Sequence, residues 1–390
     1  MKSKWIALCL VCFMLPCATD AFAADKGVYI AKWIDQGDDW YKSDEGKKII
    51  ANILACGMFS AVCGSSPATA AAIGKAGVPE MIKRGVPPAL ATGAICAGGT
   101  LGILIPPSIT MILYGLATDT SIGRLFLSGV IPGALLVLLF SAYAWSATLA
   151  LARKMEIQPI VERFTLKEKM EGLVRVAPFL AIMVAIAYFM YGGVATPSEI
   201  AAVAAFLAIV LVMTIYKAYR PRDLWLIFRD SVRESSMILM IIASAALFSY
   251  MMSLLYVSQT AAEWLVSLSL NRWVLMALIN VFMLLLGCFL PPVAIILMLM
   301  PILTPVLEAN NFDLIWFAVM LTINMEVGLI TPPVGLNLYV LRGVAPQVPL
   351  STVLRGSMPY VFIMLGFMVL LSAFPGIATW LPEKLMGPGH

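Results

Sequence analysis

The sequence is poor in charge and in the residues of catalytic chemistry. Only 12% of its 390 residues are charged, whereas 61% are hydrophobic; soluble proteins carry about twice that charge. The single histidine is the terminal His390, which excludes Ser-His-Asp triads and H-E-x-x-H metal sites. Seven cysteines, an odd number without a partner motif, favour neither a disulfide framework nor a zinc site. We therefore expect no catalytic residues, no enzyme activity and no organic cofactor.

The sequence contains several long apolar runs. Several reach the roughly 20 residues that cross a bilayer, which predicts an all-α polytopic membrane protein. Residues 1–23 have the pattern of a signal segment, with two lysines before an apolar core, and the polar residues 24–48 are expected not to span. Uninterrupted crossings are predicted at 124–151, 175–193, 197–217, 235–257 and 352–380.

Basic residues predict which segments face the cytoplasm. The loops 152–175 and 217–234 carry most of the Lys and Arg residues between crossings, and the positive-inside rule places both inside. Lys83 and Arg84 likewise place the base of the apolar segment 49–82 inside. This segment is therefore predicted to enter and leave the membrane from the cytoplasm, as a re-entrant hairpin. A second hairpin, 272–308, is predicted to enter from outside.

A Gly-x-x-x-Pro-Pro motif occurs twice, once in each half of the chain. Gly102 and Gly328 begin the two copies, 328 − 102 = 226 residues apart, and the same offset relates Pro79 to Pro305. Each proline pair removes helix hydrogen bonds, so 87–116 and 313–343 are predicted to be broken transmembrane helices. Two copies of opposite orientation form an inverted repeat, which is typical of secondary transporters with sites near the membrane midplane. A plain proline kink is the alternative reading of each motif.

The chemistry of such breaks suits ions. Unwound backbone exposes carbonyl oxygens that can coordinate Na⁺, and the positive ends of half-helices can face an anionic substrate. At the tip of the first hairpin, Ser65 and Ser66 add hydroxyl oxygens, and Gly64 permits a tight turn. Close packing of small residues is the alternative there. Glu326 is the most central charge and a candidate coupling carboxylate; alternatively, it braces the broken helix by pairing with backbone amides.

At these residues the chain resembles the large membrane (permease) subunit of the tripartite ATP-independent periplasmic (TRAP) transporters. The motifs that carry the resemblance cover roughly residues 50–380. They are GSSPATAAAIGKAGVPEM, GGTLGILIPPSI, SIGRLF…GVIPG, MPILTP and NMEVGLITPPVGLN. The resemblance implies an elevator-type, Na⁺-driven importer of organic anions such as C4-dicarboxylates or sialic acid, in the bacterial inner membrane. It also implies two partners, a small TRAP membrane subunit and a periplasmic substrate-binding protein, and no nucleic acid.

The resemblance also implies site residues. One Na⁺ site would use Gly64, Ser65, Ser66, Gly102 and Ile105, and a second would use Gly287, Gly328, Thr331 and Val334. Substrate is expected near Ser66, Pro107, Pro333 and Asn337. Two residues depart from the family pattern, Cys63 in place of Ser and Pro291 in place of Asp.

The two copies differ in the crossings that precede them. The second copy is preceded by crossings without counterparts before the first copy, so the first scaffold helices are expected to be absent. A non-transporting remnant and a divalent-anion:Na⁺ symporter without a binding protein are the alternative functions.

The expected organisation has seven regions. They are a signal-like segment (1–23), a polar segment (24–48), the first repeat (49–151), a cytoplasmic basic loop (152–175), scaffold helices (176–257), the second repeat with an interfacial arm (258–381) and a tail (382–390).

Overall fold

The structure is a computed structural model in which every regular element is a helix among the residues that it describes. Helices follow one another in the order expected of two copies of one unit. The described residues are 45–83, 86–155, 177, 181–182, 184–186, 188–189, 196–216, 220–256, 260, 263 and 271–387. The predicted signal segment, most of the basic loop 152–175 and most of the interfacial arm lie outside them.

The first copy contains a helical hairpin, a broken helix and a long helix, as predicted. The hairpin turns at Gly64–Ser65, and the broken helix loses its regular hydrogen bonds between Leu104 and Ser108. Ser108 caps the second half-helix, because its hydroxyl accepts a hydrogen bond from the amide of Met111 at 3.3 Å. The elements are α1 (Glu45–Cys63), α2 (Ser66–Lys83), α3 (Pro88–Thr100) with a 3₁₀ turn (Leu101–Ile103), α4 (Ile109–Ala117) and α5 (Ile122–Met155).

The second copy repeats this order after the described helices α6 (Pro197–Tyr216) and α7 (Pro221–Leu254). Its hairpin turns at residues 288–291 and its broken helix at residues 330–335. Asp313 caps the first half of that helix by accepting from the amide of Trp316 at 2.8 Å. The elements of the second copy are α8 (Arg272–Gly287), α9 (Pro292–Ala309), α10 (Leu314–Leu329), α11 (Leu336–Val344), α12 (Leu350–Ala373) and α13 (Gly376–Met386).

The two broken helices form the centre of the molecule. Every residue of α10 from Trp316 to Leu329, and of α3 from Ala91 to Thr100, is buried. The two copies also exchange contacts: α2 of the first hairpin packs on α11, and α9 of the second hairpin packs on α4. The hydroxyl of Tyr114 on α4 donates to the carbonyl oxygen of Leu314 at 2.8 Å. The copies therefore form one body around the two breaks.

Several helices begin or end away from the bounds of the predicted segments. Helix α7 begins at Pro221, so most of the predicted loop 217–234 is helical; proline favours the first turn of a helix, and long Arg side chains at a helix end can reach the interface. The predicted crossing 352–380 is two helices, which Phe374 and Pro375 separate. Helix α1 begins at Glu45, inside the predicted polar segment, and α13 reaches Met386, inside the predicted tail.

Four helices of the described part are long and apolar enough to cross a membrane. They are Ile122–Ala150 within α5, Leu224–Met252 within α7, Pro292–Ala309 and Leu350–Ala373. Many large apolar side chains of α7 are exposed, among them Trp225 and Met240, as expected of a surface that faces lipid. These findings agree with a polytopic membrane protein.

A close crossing of α3 and α12 fixes the two copies against each other. A Cβ atom on Gly356 would lie 1.8 Å from the carbonyl oxygen of Ala89, so no larger residue fits. We expect Gly356→Ala to lower the free energy of unfolding by about 1–3 kcal/mol or more, as overpacking does. Thermal unfolding of the detergent-purified protein measures this. Gly366→Ala on the same helix is the control, since nothing lies within 4 Å of its new methyl group; equal losses in both variants would contradict the crossing.

Candidate functional site

The tip of the first hairpin lies against both ends of the first break. A Cβ atom on Gly102 would lie 2.8 Å from the carbonyl oxygen of Ser65, and one on Gly64 would lie 2.8 Å from that of Pro107. Gly64 has φ +63°, a left-handed conformation that glycine adopts without steric cost. The structure thus brings together Gly64, Ser65 and Gly102, three residues of the first predicted cation site.

The second hairpin and the second break have the same arrangement. A Cβ atom on Gly328 would lie 2.5 Å from the carbonyl carbon of Gly287. The amide of Val334 donates to the carbonyl oxygen of Cys288 at 3.2 Å. The tip therefore reaches from one end of the break to the other, and it gathers Gly287, Gly328 and Val334 of the second predicted site. The peptide bonds Pro106–Pro107 and Pro332–Pro333 are both cis.

The oxygens at the breaks form a donor set that fits Na⁺. In a regular helix each carbonyl oxygen accepts a hydrogen bond from the amide four residues later, but the prolines at 106, 107, 332 and 333 have no amide hydrogen. Nearby hydroxyls stay close to the backbone: Thr331 Oγ1 donates to the carbonyl oxygen of Val327 at 2.6 Å, and Thr69 Oγ1 donates to that of Ser65 at 2.9 Å. Within the described chain, no group of three or more His, Cys, Asp or Glu residues could hold a metal ion. Carbonyl and hydroxyl oxygens suit a hard monovalent cation.

Ser66 and Asn337 meet across the two copies. The Asn337 amide nitrogen, Nδ2, donates to the Ser66 hydroxyl at 2.7 Å, and both residues are fully buried. Ser66 is the first residue of α2 and Asn337 the second residue of α11. The N-terminal ends of two helices, each with partial positive charge, therefore converge at this bond. Both residues belong to the predicted substrate set.

The other predicted residues lie around these contacts. Ile105 continues the 3₁₀ turn, since its amide donates to the carbonyl oxygen of Leu101 at 3.0 Å. Pro107 lies beside Gly64 at the first break, whereas Pro333 is exposed at the second. Of the predicted substrate set, the structure brings Ser66 and Asn337 together and places one proline at each break.

Glu326 is buried on α10 without a partner in the described part of the chain. Neither of its carboxylate oxygens accepts a hydrogen bond there, so the alternative, bracing by backbone amides, is not observed. Asn324 and Gly328 lie on the opposite side of the helix, towards α8: Asn324 Nδ2 donates to the carbonyl oxygen of Asn280 at 2.8 Å. A buried carboxylate without a partner is costly.

Two residues of the breaks were missed by the sequence reasoning. Gly335 has φ +55° and precedes α11, where a left-handed residue ends the second break. Ser108 caps α4 and also donates from its hydroxyl to the carbonyl oxygen of Ile103 at 2.5 Å. A serine directly before an apolar run is a recognisable capping signal. A glycine after Pro-Pro-Val gives no comparable signal for its conformation.

The close approach at Gly328 leads to a test of the site. In Gly328→Ala the new methyl group would collide with the backbone of Gly287, so the second tip should move away from its break. We expect Cys288, which is buried at that tip, to react about tenfold faster with a maleimide. Overpacking that destabilises the closed tip by about 1.4 kcal/mol raises the population of the open, reactive tip about tenfold. Gly343→Ala, with nothing within 4 Å, is the control. An unchanged rate in Gly328→Ala would show that the tip does not rest on the break.

Comparisons with known proteins agree with the architecture. Residues 45–377 match the family described as "Tripartite ATP-independent periplasmic transporter, DctM component". A C4-dicarboxylate TRAP transporter large permease protein from Pseudomonas aeruginosa is 38% identical over 340 residues, which are 87% of this chain and 78% of the relative. A sialic acid TRAP transporter large permease protein from Vibrio cholerae is 30% identical over 339 residues, again 87% and 78%.

A solved structure shares the fold. The YdaH transporter of Alcanivorax borkumensis, whose topology is described as unusual, superposes with a TM-score of 0.66. The match covers 96% of this chain and 86% of that protein at 15% identity. The resemblance seen in the motifs is thereby confirmed: this chain belongs to the DctM family, the large permease subunits of the TRAP transporters.

Proposed function

We propose that the chain is the permease subunit of a Na⁺-coupled importer of organic anions in the bacterial inner membrane. It would work with a small TRAP membrane subunit and a periplasmic binding protein. The observation that carries the proposal is the paired arrangement of hairpin tip and broken helix, Ser65 on Gly102 and Gly287 on Gly328. Each pair brings backbone oxygen close to an interrupted helix, an arrangement that membrane transporters use to coordinate cations.

The Ser66–Asn337 contact supports the proposed substrate class. Two positive helix ends repel each other at close range, and an anion bound between them would offset that repulsion. Two relatives are named for C4-dicarboxylate and for sialic acid, and both substrates carry carboxylates. An organic anion with at least one carboxylate near Ser66 and Asn337 is therefore the proposed cargo.

Uptake into proteoliposomes tests the function. The chain is reconstituted with its small membrane subunit, and the binding protein loaded with radiolabelled C4-dicarboxylate or sialic acid is added outside. We expect uptake with an inward Na⁺ gradient and none with a pH gradient alone. Uptake without the binding protein would favour the divalent-anion symporter instead, and no uptake under any gradient would favour the remnant.

The second cation site is tested at Thr331. Its hydroxyl lies at the break and bonds the carbonyl oxygen of Val327. We expect Thr331→Ala to raise the Na⁺ concentration for half-maximal uptake roughly tenfold, because one buried polar oxygen contributes about 1–3 kcal/mol, and Thr331→Ser to restore it. Thr304→Ala is the matched control, since Thr304 makes the same bond to Met300 in α9. Equal Na⁺ dependence in both alanine variants would count against the site.

The charge of Glu326 is proposed to support the same cation. Glu326 lies on α10 two residues before Gly328, so its charge would act on the cation at long range. A pair of unit charges interacts by about 4 kcal/mol at about 4 Å with an effective dielectric constant of about 20, and by less at larger separations. We expect Glu326→Gln to raise the half-maximal Na⁺ concentration by about tenfold or more, with little change in the amount of protein in the membrane. The exposed Glu308→Gln on α9 is the control. Wild-type Na⁺ dependence in Glu326→Gln would exclude a coupling role for this carboxylate.

A further inference from the structure

The hydrogen bond between Asn337 and Ser66 joins one copy's hairpin to the other copy's broken helix. Asn337 Nδ2 donates to Ser66 Oγ at 2.7 Å, 271 positions away in sequence, and neither residue is exposed. A hydroxyl has two lone pairs and one proton. With one lone pair engaged by Asn337, the rotation of the Ser66 hydroxyl is restricted while the other lone pair stays available to a ligand.

At its Asn337 end, this hydrogen bond depends on the conformation of the second break. Asn337 follows Gly335 by two residues, and a Cβ atom on Gly335 would lie 3.0 Å from the carbonyl oxygen of Thr331. The end of the break thus folds back onto its beginning. A shift of Thr331 is therefore transmitted through Gly335 to the first turn of α11, where Asn337 lies.

At its Ser66 end, the hydrogen bond lies next to the first predicted cation site. Ser66 follows Ser65 directly, and the carbonyl oxygen of Ser65 is the atom that meets Gly102. The hydroxyl of Thr69 donates to that same carbonyl oxygen, so the first turn of α2 and the tip are fixed together. Whatever holds Ser66 in place also holds the tip against the first break.

The contact that the repeat relates to this one, between α4 and α9, has no hydrogen bond between the equivalent residues. The offset of 226 relates Asn337 to position 337 − 226 = 111, which is Met111, and relates Ser66 to position 66 + 226 = 292, which is Pro292. These residues lie on α4 and α9, which pack together as α11 and α2 do. Neither has a side-chain amide or hydroxyl, so the repeat carries this polar link at one of its two symmetric contacts.

We propose that Asn337 is a positioning residue that couples the two cation sites. A cation at the second break would fix Thr331 and Gly335, hold Asn337 in register with Ser66, and so raise the Na⁺ affinity of the first hairpin tip. The inference rests on the proposed Na⁺ function, and it adds that the sites are not independent. Thermodynamic linkage requires the effect to be reciprocal, so a cation at the first site also favours binding at the second.

Two native cysteines report on the two tips separately. Cys63 directly precedes the first tip and Cys288 lies in the second, and both are buried. The purified full-length protein is treated with N-ethylmaleimide over a series of Na⁺ concentrations, with choline keeping ionic strength constant. Mass spectrometry then gives the fraction of each cysteine modified. The Na⁺ concentration that halves each modification rate is the midpoint for that tip.

The expected result is a set of linked midpoints. Thr331→Ala should raise the midpoint at Cys288 directly and, through Asn337, the midpoint at Cys63 by about fivefold, the lower end of measured couplings. Asn337→Ala alone should also raise the Cys63 midpoint by about fivefold. In the Asn337→Ala background, Thr331→Ala should change only the Cys288 midpoint. Asn324→Ala is the matched control, because it removes a buried asparagine bond within the second copy, to Asn280, and should leave the Cys63 midpoint unchanged.

Each outcome decides a different point. If Na⁺ protects neither cysteine, the proposed Na⁺ function fails. If Na⁺ protects both but Thr331→Ala leaves the Cys63 midpoint unchanged, the function stands and the coupling is overturned; this comparison needs no Asn337 variant and holds even if Asn337→Ala does not fold. Additive effects of Asn337→Ala and Thr331→Ala on Cys63 would also overturn it.

Discussion

The need to satisfy backbone polar groups inside a membrane governs this structure. A helix interrupted by two prolines leaves carbonyl oxygens without amide partners, and hydrocarbon offers no water in exchange. The chain keeps each break away from lipid by placing a hairpin tip on it, Ser65 against Gly102 and Gly287 against Gly328. The long buried stretches of α3 and α10, and the exchange of hairpin contacts between the copies, follow from enclosing the two breaks in one body.

Glycine is what makes the enclosure close enough. Side chains at 102 or 328 would hold each tip away from its break, and a larger residue at 356 would separate the copies where α3 crosses α12. Such contacts bring backbone to within van der Waals distance of backbone, so the oxygens that face the breaks are mostly main-chain atoms. The position of a main-chain oxygen changes little when a side chain on the surface of the same helix is substituted.

The sequence predicted what local rules control. The proline pairs predicted both broken helices, and apolar segments together with basic residues such as Lys83 predicted the hairpins, because these signals act within a few residues. The sequence did not predict that α7 starts at Pro221, since basic residues indicate loops by composition but are compatible with a helix end. The left-handed Gly335 and the bond between Ser66 and Asn337 depend on packing between distant segments. Periodicity and composition contain no information on such contacts.

The two copies share a backbone plan but differ in how strongly each break is enclosed. At the first break, Gly102 and Ser108 are buried, and the tip is linked through Ser66 to the other copy. At the second, Phe289 is 61% exposed and Val334 is 39% exposed, and a backbone bond from Val334 to Cys288 joins tip and break. A tip with fewer buried contacts opens at a lower free-energy cost. The second hairpin is therefore the one that local opening should release first, while the first remains attached to the core of the molecule.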